Sequence, residues 1–581
     1  MNSPSHYPSR RSLAWLSLVS LLGAVSTARA QWATESYTLK PGWNAIWLPL
    51  DVSHEAIATL AAANIEELWR WNANEAGTFT DTPAGSPSQT ELQWNVWRRT
   101  DPAGTTLSQI TGNAAYLVKV ADTAPATQVW NVKGKPLPPK IEWSSTGLNF
   151  VGFPTQNLPV NAATNPHGVA APTFERFFGF DSVLSTLPLP SDVLYYAGGP
   201  LSAVAPRNPR PLISFNSAMT RHAAYWVKAT QFTNYCGPVK VEVNRESGLA
   251  FGDDLLSVSV RLTNTINPQQ NQTVTVRLNP LASEAAPAGQ PAVAGSVPLM
   301  IRGALNLTTG QYVYDAFASP VTRALAPGQS TDVIFTVNRS AMTGTSGAAF
   351  QSLLQITDTL NQTRINLPVS GTITPRSGLW GGAAAIAKVD RLLGNAVAPN
   401  NVARPFPLRL IIHADAAGNA RLLQQAYLGE QDGQPAVAAA ENAFTAPGKA
   451  RARVSSSHFP TGLKLTGTGT PGLTGTLTFT VPLAHTDKSN PFLHAYHPDH
   501  DNLDERFEQA LPTGKEVPEI TRSVTLSFAA ENPLGFDPAW GATTLGGTYT
   551  ETITGLRDQP VTVSGTFYLQ RATDAATFLQ P

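Results

Sequence analysis

An internal repeat near the start of the chain constrains its fold more than any other sequence feature. Three short segments recur in the same order, 105 to 109 positions later, in this 581-residue chain. The matched pairs are Gly42–Pro49 with Gly147–Pro154, Ile65–Asn72 with Phe174–Asp181, and Ala114–Lys119 with Ala223–Lys228. Such matches, interrupted by one short gap, predict that residues 31–136 and 137–238 are two copies of one module.

The matched segments alternate in the way that β-strands require. After Gly42, the side chains of Ile46, Leu48 and Leu50 fall on one face of a strand. We therefore expect each matched segment to be a strand and each copy to be an all-β module. Residues 53–63 also fit a short helix, but prolines occupy the corresponding part of the second copy, so this helix is not a shared element.

The first and last matched segments resemble a module of exported bacterial proteins. That module has a Gly-Trp-Asn strand near its start and a Gly-x-Tyr-Trp-Val-like strand near its end, matched here by Gly42-Trp43-Asn44 and Ala223-Ala224-Tyr225-Trp226-Val227. The resemblance covers roughly residues 36 to 230. It implies an all-β module on exported or surface proteins, and it brings no catalytic residues.

The rest of the chain also has the pattern of short strands. Alternating apolar residues and turns over 239–374, without a Cys pair, are typical of an immunoglobulin-like sandwich. Two candidate hairpins, at 408–428 and 546–569, predict a C-terminal β-rich domain over 375–581 that is long enough to divide further. The fold class that we expect is therefore all-β and multidomain.

The charge balance excludes one class of partner. The chain has 40 Lys and Arg against 40 Asp and Glu, and only 14% of its residues are charged. No basic block is present that could neutralise several phosphates at once, so we expect no nucleic-acid partner.

The N-terminal thirty residues have the pattern of an export signal. Arg10 and Arg11 precede an apolar run over 13–25, and Ala28-Arg29-Ala30 provides a small-residue cleavage site. The run is too short to span a bilayer, and no later segment is longer, so we expect no transmembrane segment in the mature chain. The expected location is periplasmic, cell-surface or secreted, by the general or the twin-arginine route.

Tryptophan is concentrated in the first copy, which holds eight of the 13 Trp residues between positions 31 and 130. Indole faces stack on sugar rings, so a carbohydrate-binding platform is one interpretation. Trp69 and Trp71 align with Phe178 and Phe180, which favours core packing for them. Trp94 and Trp97 lie outside the matched segments in a polar stretch, and we predict that they form an exposed, ligand-stacking face.

A second candidate site lies at 485–505, where four of the ten histidines occur beside five carboxylates. Imidazoles suit zinc, and closely spaced carboxylates suit calcium, although the spacing fits neither a zinc-peptidase nor an EF-hand motif. A polar loop is the alternative. The candidate ligands of a divalent metal are His485, His494, His497, Asp499, His500, Asp501 and Asp504.

Three functions follow from these patterns. The leading hypothesis is a non-enzymatic exported or cell-surface protein that binds or adheres through its β modules, with carbohydrate or other surface proteins as partners. The first alternative is a metal-dependent hydrolase or metal-binding protein that uses 485–505. The second is carbohydrate binding by the Trp-rich first module. Cys236 has no second cysteine to pair with and lacks charged neighbours, so no catalytic thiol is predicted.

Overall fold

The architecture is that of a computed structural model in which β-sheets account for nearly all regular structure. The model describes residues 31–580 except 72–93, 142, 144–146, 157–171, 188–190, 206, 230, 394–395, 446–448, 458, 460–464, 485–486, 488–489, 491–518 and 557–558. Within these ranges, the only α-helices are two of six residues or fewer. The prediction of an all-β, multidomain fold is confirmed. The export signal at 1–30 lies outside the described residues.

The first repeat contains two sheets. A four-stranded sheet has the order β2-β6-β4-β5, and a three-stranded sheet has the order β1-β7-β3. The elements are β1 (Ala33–Leu39), β2 (Gly42–Leu48), β3 (Leu50–Asp51), α1 (Ile57–Leu60), β4 (Ile65–Trp71), β5 (Trp94–Arg98), β6 (Ala114–Val120) and β7 (Gln128–Pro136). The inner faces of the two sheets share one hydrophobic core, which includes Tyr37, Ile46 and Trp130.

The second repeat contains one four-stranded sheet of order β8-β11-β9-β10. In this sheet, β8 corresponds to β2 of the first repeat, β11 to β6, β9 to β4 and β10 to β5. The elements are β8 (Gly147–Gly152), α2 (Phe174–Gly179), β9 (Val193–Tyr195), β10 (Arg210–Pro211) and β11 (Ala224–Ala229). The two repeat sheets therefore have the same strand order. The exact module boundaries remain a prediction.

One matched segment is not a strand, contrary to our expectation. Phe174–Gly179 forms helix α2, and the position of β4 is taken by β9 instead. Thr173 caps the helix, because its hydroxyl oxygen accepts a hydrogen bond from the Arg176 backbone N–H at 3.3 Å. Phe174, Phe177 and Phe178 then share one buried helix face, as their spacing of three and four residues requires.

The two repeat sheets face each other across an aromatic cluster. Trp226 stacks on Phe150 with ring centroids 4.7 Å apart, and its edge meets Trp71 at 5.1 Å. The cluster also contains buried side chains of the first repeat, including Trp47 and Trp69. Backbone contacts tie the sheets together as well, because Trp43 N–H donates to the Gly199 carbonyl at 2.9 Å. Tryptophans of the first repeat thus pack in the interface between the two repeat sheets.

The next unit is a β-sandwich. Its two five-stranded sheets have the orders β12-β14-β19-β16-β17 and β13-β21-β20-β15-β18. The strands are β12 (Val239–Val243), β13 (Leu249–Ala250), β14 (Val258–Asn264), β15 (Val274–Ala282), β16 (Leu299–Asn306), β17 (Gln311–Ala316), β18 (Val321–Leu325), β19 (Ser330–Val337), β20 (Ala349–Asp358) and β21 (Arg364–Thr372). One continuous core joins this sandwich to the helix side of the second repeat, including Phe177 and Phe335.

The C-terminal region contains a nine-stranded and a four-stranded sheet, of orders β28-β24-β23-β22-β33-β32-β31-β30-β29 and β27-β25-β26-β34. The strands are β22 (Gly378–Leu393), β23 (Ala396–Ala414), β24 (Ala420–Leu422), β25 (Gln425–Gln431), β26 (Gln434–Ala438), β27 (Lys449–Ser456), β28 (Leu465–Thr466), β29 (Thr468–Gly469), β30 (Thr476–Leu483), β31 (Ile520–Phe528), β32 (Thr544–Thr554), β33 (Val561–Thr573) and β34 (Thr577–Leu579). Among the described residues, no helix is long and apolar enough to cross a membrane.

Candidate functional site

The predicted metal ligands do not fall in the described part of the chain. His485, His494, His497, Asp499, His500, Asp501 and Asp504 all lie outside the described residues. Within those residues, no group of three or more His, Cys, Asp or Glu side chains is arranged to hold a metal ion. Metal binding at 485–505 therefore stays a prediction.

The expectation that Trp94 and Trp97 form an exposed face is wrong. Trp94 is 9% exposed and Trp97 is 8% exposed. Strand β5 pairs Trp94 with Trp71 and Trp97 with Leu68, and the two indoles enter the two different cores on either side of the sheet. Both therefore contribute to packing. Ligand stacking on these two residues has not been tested.

The structure instead contains an open cleft of about 770 Å³ where the two repeats meet the sandwich. Its described lining comes from the ends of β4, β5 and β6, from β8, from the connection after β7, and from β12 with the turn that follows it. Residues of three structural units therefore contribute to one concave surface, which is the usual setting for a ligand site.

An aromatic and a cationic side chain lie together at the end of β4. Trp71 is the last residue of this strand, and Arg70 precedes it. Both line the cleft and both are partly exposed. Adjacent residues of a strand point to opposite faces of the sheet. Because Arg70 and Trp71 both line the cleft, the cleft extends across the end of β4 and is lined from both faces of the sheet. The Trp71 indole makes T-shaped contacts with Trp94 and Trp226, with ring centroids 5.1 Å apart in each pair, and gives this surface a rigid apolar wall.

Four asparagines contribute uncharged polar groups to the cleft. Asn95, Asn113, Asn149 and Asn234 line the cleft. The Asn113 side chain is held by its Nδ2–H, which donates to the Pro138 carbonyl at 2.8 Å. Its Oδ1 is buried and has no donor among the described residues. Neutral amides that both donate and accept suit the hydroxyl groups of a polar, uncharged ligand surface.

Charged side chains line the same cleft, with an excess of cations. Four Lys or Arg residues contribute against two glutamates, Glu242 and Glu246. Lys240 pairs with Glu242 at 2.8 Å on the exposed side of β12. The cationic lining residues are Arg70, Lys140, Lys240 and Arg245.

The one thiol in the cleft is not a nucleophile. Burial raises the pKa of the Cys236 thiol to about 11, so the sulfur is protonated at neutral pH. The described lining contains no Ser, Thr or His that could act in its place. The groups that the structure places in the cleft can bind and orient a ligand.

A separate buried ionic cluster lies where the repeats meet the sandwich. Arg221 Nη2 donates to Glu35 Oε1 at 3.1 Å, and His222 Nε2 donates to Glu35 Oε2 at 2.7 Å. Arg221 also donates to the Thr155 carbonyl at 2.7 Å and contacts the Arg364 carbonyl at 3.3 Å. These bonds connect β1, the second repeat and β21, so the cluster holds the three units together.

The electrostatics of this cluster depend on both burial and charge. Burial alone raises the pKa of the Glu35 carboxyl, but the His222 hydrogen bond and the charges of Arg221, His222 and Arg364 outweigh it and lower that pKa to about 2. Burial lowers the pKa of His222, and Arg221 lowers it further, against the opposing effect of Glu35. At neutral pH, a neutral imidazole therefore donates to an ionised carboxylate.

Sequence reasoning did not identify Trp71 and Arg70 as site residues. The alignment of Trp71 with Phe180 favoured core packing, but Phe180 follows helix α2 and has no equivalent position in the second sheet. One sequence feature could have indicated the cleft. Arg70 lies between two tryptophans at the end of a strand, where an unpaired cation beside an aromatic residue is unusual for a core.

No family model and no curated protein matches this chain. Among solved structures, it is similar to a DUF4466 family protein from Parabacteroides merdae ATCC 43184, with 8% identity and a TM-score of 0.16 over 57% of this chain and 98% of that chain. A protein of unknown function from Bacteroides ovatus shows 8% identity and a TM-score of 0.14 over 57% of this chain and 94% of that chain.

A third similar structure is that of Escherichia coli alpha-2-macroglobulin activated by porcine elastase. It shows 11% identity and a TM-score of 0.14 over 78% of this chain and 46% of that chain. This chain thus spans less than half the length of that protein. Similarities at these TM-scores carry no conclusion about function.

Proposed function

We propose that this chain is an exported, non-enzymatic binding protein whose cleft takes a carbohydrate. The observation that carries this proposal is the partly exposed indole of Trp71 in a cleft that three asparagines with exposed or partly exposed positions, Asn95, Asn113 and Asn234, also line. Sugar rings present an apolar face to an aromatic ring and hydroxyl groups to amides, so this combination matches their chemistry.

Export is proposed on the N-terminal pattern alone. Arg10 and Arg11, the apolar run that follows and the Ala28-Arg29-Ala30 site together support removal of residues 1–30. An extracellular or periplasmic location gives a carbohydrate-binding cleft access to polysaccharide. Secretion assays with an Ala30→Asp variant, which is expected to block processing, would test this part independently.

The binding role is proposed over a catalytic one because of the chemistry of the described lining. It offers no hydroxyl or imidazole, its thiol is protonated, and of its two glutamates, Glu242 is paired with Lys240. The sequence also contains no standard hydrolase motif. Glycans that remain intact after prolonged incubation with the protein are the expected result, and their cleavage would contradict this role.

The test is a glycan array followed by titration calorimetry on the mature protein, residues 31–581. Trp71→Ala is expected to weaken binding at least about tenfold, because the apolar wall of the cleft is lost. Tyr312→Ala is the matched control, since Tyr312 is an aromatic residue 44% exposed on the sandwich and outside the cleft lining. An array without hits, or equal affinities for both variants, would overturn the proposal.

A further inference from the structure

The charge of the cleft differs from that of the whole chain. The chain as a whole is balanced, with 40 cationic and 40 acidic residues. The described cleft lining has twice as many cations as carboxylates, four against two. One of these cations, Lys240, already pairs with Glu242. The excess positive charge is therefore concentrated on the side chains that remain, and it favours a ligand with negative charge.

Arg70 differs from the other arginines of its sheet. Arg98 pairs with Glu67 at 3.4 Å. Arg99 donates to three backbone carbonyls, those of Ala61, Ala62 and Ile65. The Arg70 side chain, in contrast, makes no hydrogen bond or ion pair with any described residue, although it is partly buried and lines the cleft. A guanidinium in this position has its donors available to a ligand.

The neighbours of Arg70 fix its position. Strand pairing places Arg70 opposite Asn95 of β5 on one side and Tyr116 of β6 on the other. Asn95 also lines the cleft. Because β4 is a central strand of its sheet, the backbone of Arg70 is bonded on both sides, and the side chain leaves from a rigid platform. The Trp71 ring follows it directly in the strand.

From this arrangement we infer that the cleft prefers an acidic glycan, whose uronic-acid carboxylate is bound by Arg70. This inference rests on the proposed function and specifies its ligand. The planar guanidinium offers parallel N–H donors that match the two oxygens of a carboxylate. Trp71 contacts the apolar face of a ring, and the asparagine amides bind its hydroxyl groups. Because Arg70 and Trp71 leave opposite faces of the sheet, an acidic oligosaccharide that crosses its end presents these groups on neighbouring units.

The test compares acidic glycans with neutral ones of the same backbone. An array carries galacturonate, glucuronate and mannuronate oligosaccharides, each beside its carboxyl-reduced counterpart and beside a sulfated neutral oligosaccharide. Affinities of the best pair are then measured by titration calorimetry for the mature wild-type protein. The acidic form is expected to bind about tenfold more tightly, and this preference is expected to shrink as salt is added.

Two arginine variants make the test specific. Arg70→Gln is expected to remove the preference for the acidic form while affinity for the carboxyl-reduced form stays within about twofold. Arg277→Gln is the control, because Arg277 is exposed on β15 of the sandwich and does not line the cleft. It is expected to keep the full preference. Circular dichroism on each variant verifies that the fold is intact.

The possible failures are distinguishable. Equal affinity for the acidic and reduced forms, a preference for the sulfated oligosaccharide alone, or a preference that survives in Arg70→Gln would overturn the inference and leave carbohydrate binding in place. Absence of binding to every glycan on the array would overturn the proposed function, and the inference with it.

Discussion

The two repeats share a strand order but use their surfaces differently. The first repeat extends its third and fourth strands, β4 and β5, to seven and five residues, and their ends line the cleft. The corresponding strands of the second repeat, β9 and β10, have three and two residues. The second repeat instead carries helix α2, whose phenylalanines enter the core of the sandwich. The first copy thus supplies Arg70 and Trp71 to the cleft, and the second packs its helix into the core of the sandwich.

Both copies retain the turn that precedes their first matched strand. Gly42 and Gly147 both have positive φ, at 81° and 91°, and the Asn two residues later donates to the carbonyl of the same glycine in each copy. Gly42 also lies against Gly199 so closely that a Cβ atom would come within 2.4 Å of its carbonyl oxygen. The repeated motif therefore specifies turns and the starts of strands. The segments that differ between the copies contain helix α2, which packs on the sandwich, and the ends of β4 and β5, which line the cleft.

The largest expected effect comes from breaking the contact between the two repeats. Trp226 is 1% exposed and stacks on Phe150 within the aromatic cluster. Trp226→Ala is expected to lower the free energy of unfolding by about 3–5 kcal/mol, because it leaves a large cavity that the two sheets cannot fill. The measurement is the denaturant midpoint of the tryptophan-fluorescence transition.

Phe232→Ala serves as the control for this prediction. Phe232 is in the same repeat but is 63% exposed, so its removal is expected to change stability by less than about 0.5 kcal/mol. Similar losses in the two variants would mean that the aromatic cluster does not hold the repeats together.

The second prediction concerns the ionic cluster, which joins the same units by charge. The Glu35 pKa is lowered from 4.5 to about 2 in the folded protein, so its ionised form stabilises the fold at pH above about 4.5. This contribution, about 3 kcal/mol, is lost as pH falls through about 2. Glu35→Gln is therefore expected to be less stable at pH 7, and the difference from wild type is expected to close as pH falls from about 4.5 to about 2.

The partners of Glu35 add a second dependence on pH. Because the pKa of His222 is lowered in the folded protein and Glu35 opposes that lowering, acidification below the ordinary His pKa of 6.5 destabilises the Glu35→Gln variant more than wild type. The informative quantity is therefore the difference in unfolding free energy between them, measured from pH 7 to pH 2. Glu246→Gln, at an exposed carboxylate, is the control. A difference that does not narrow between pH 4.5 and pH 2 would contradict the assigned role of Glu35.

The sequence allowed the fold class and the repeat to be predicted, because strand alternation and the Gly-x-Asn turn depend on local physics. It did not allow helix α2 to be distinguished from a strand. Phe174-Glu175-Arg176-Phe177-Phe178 has apolar residues at spacings that fit both structures, and the Thr173 cap and the sandwich core decide between them. The burial of Trp94 and Trp97 was also missed, since it depends on which sheet covers each face of β5. Long-range packing of this kind leaves no local pattern.

The smallest expected effects concern a tyrosine hydroxyl that makes equivalent hydrogen bonds in the two repeats. In the first repeat, the Tyr116 hydroxyl donates to the Thr111 carbonyl and accepts from the Thr111 N–H, each at 2.8 Å. In the second, the Tyr225 hydroxyl accepts from the Thr220 N–H at 2.8 Å and donates to the Thr220 carbonyl at 3.4 Å. Each tyrosine thus closes the turn that precedes its own strand.

Replacement of either tyrosine by phenylalanine is expected to cost about 1 kcal/mol of unfolding free energy, since it removes these hydrogen bonds without creating a cavity. Tyr225→Phe is expected to cost slightly less than Tyr116→Phe, because its bond to the carbonyl is longer. Urea titrations of both single variants and the double variant measure these losses. If only one single variant lost unfolding free energy, the tyrosine-closed turn would stabilise only one repeat. The structural equivalence of the two copies would then rest on strand order alone.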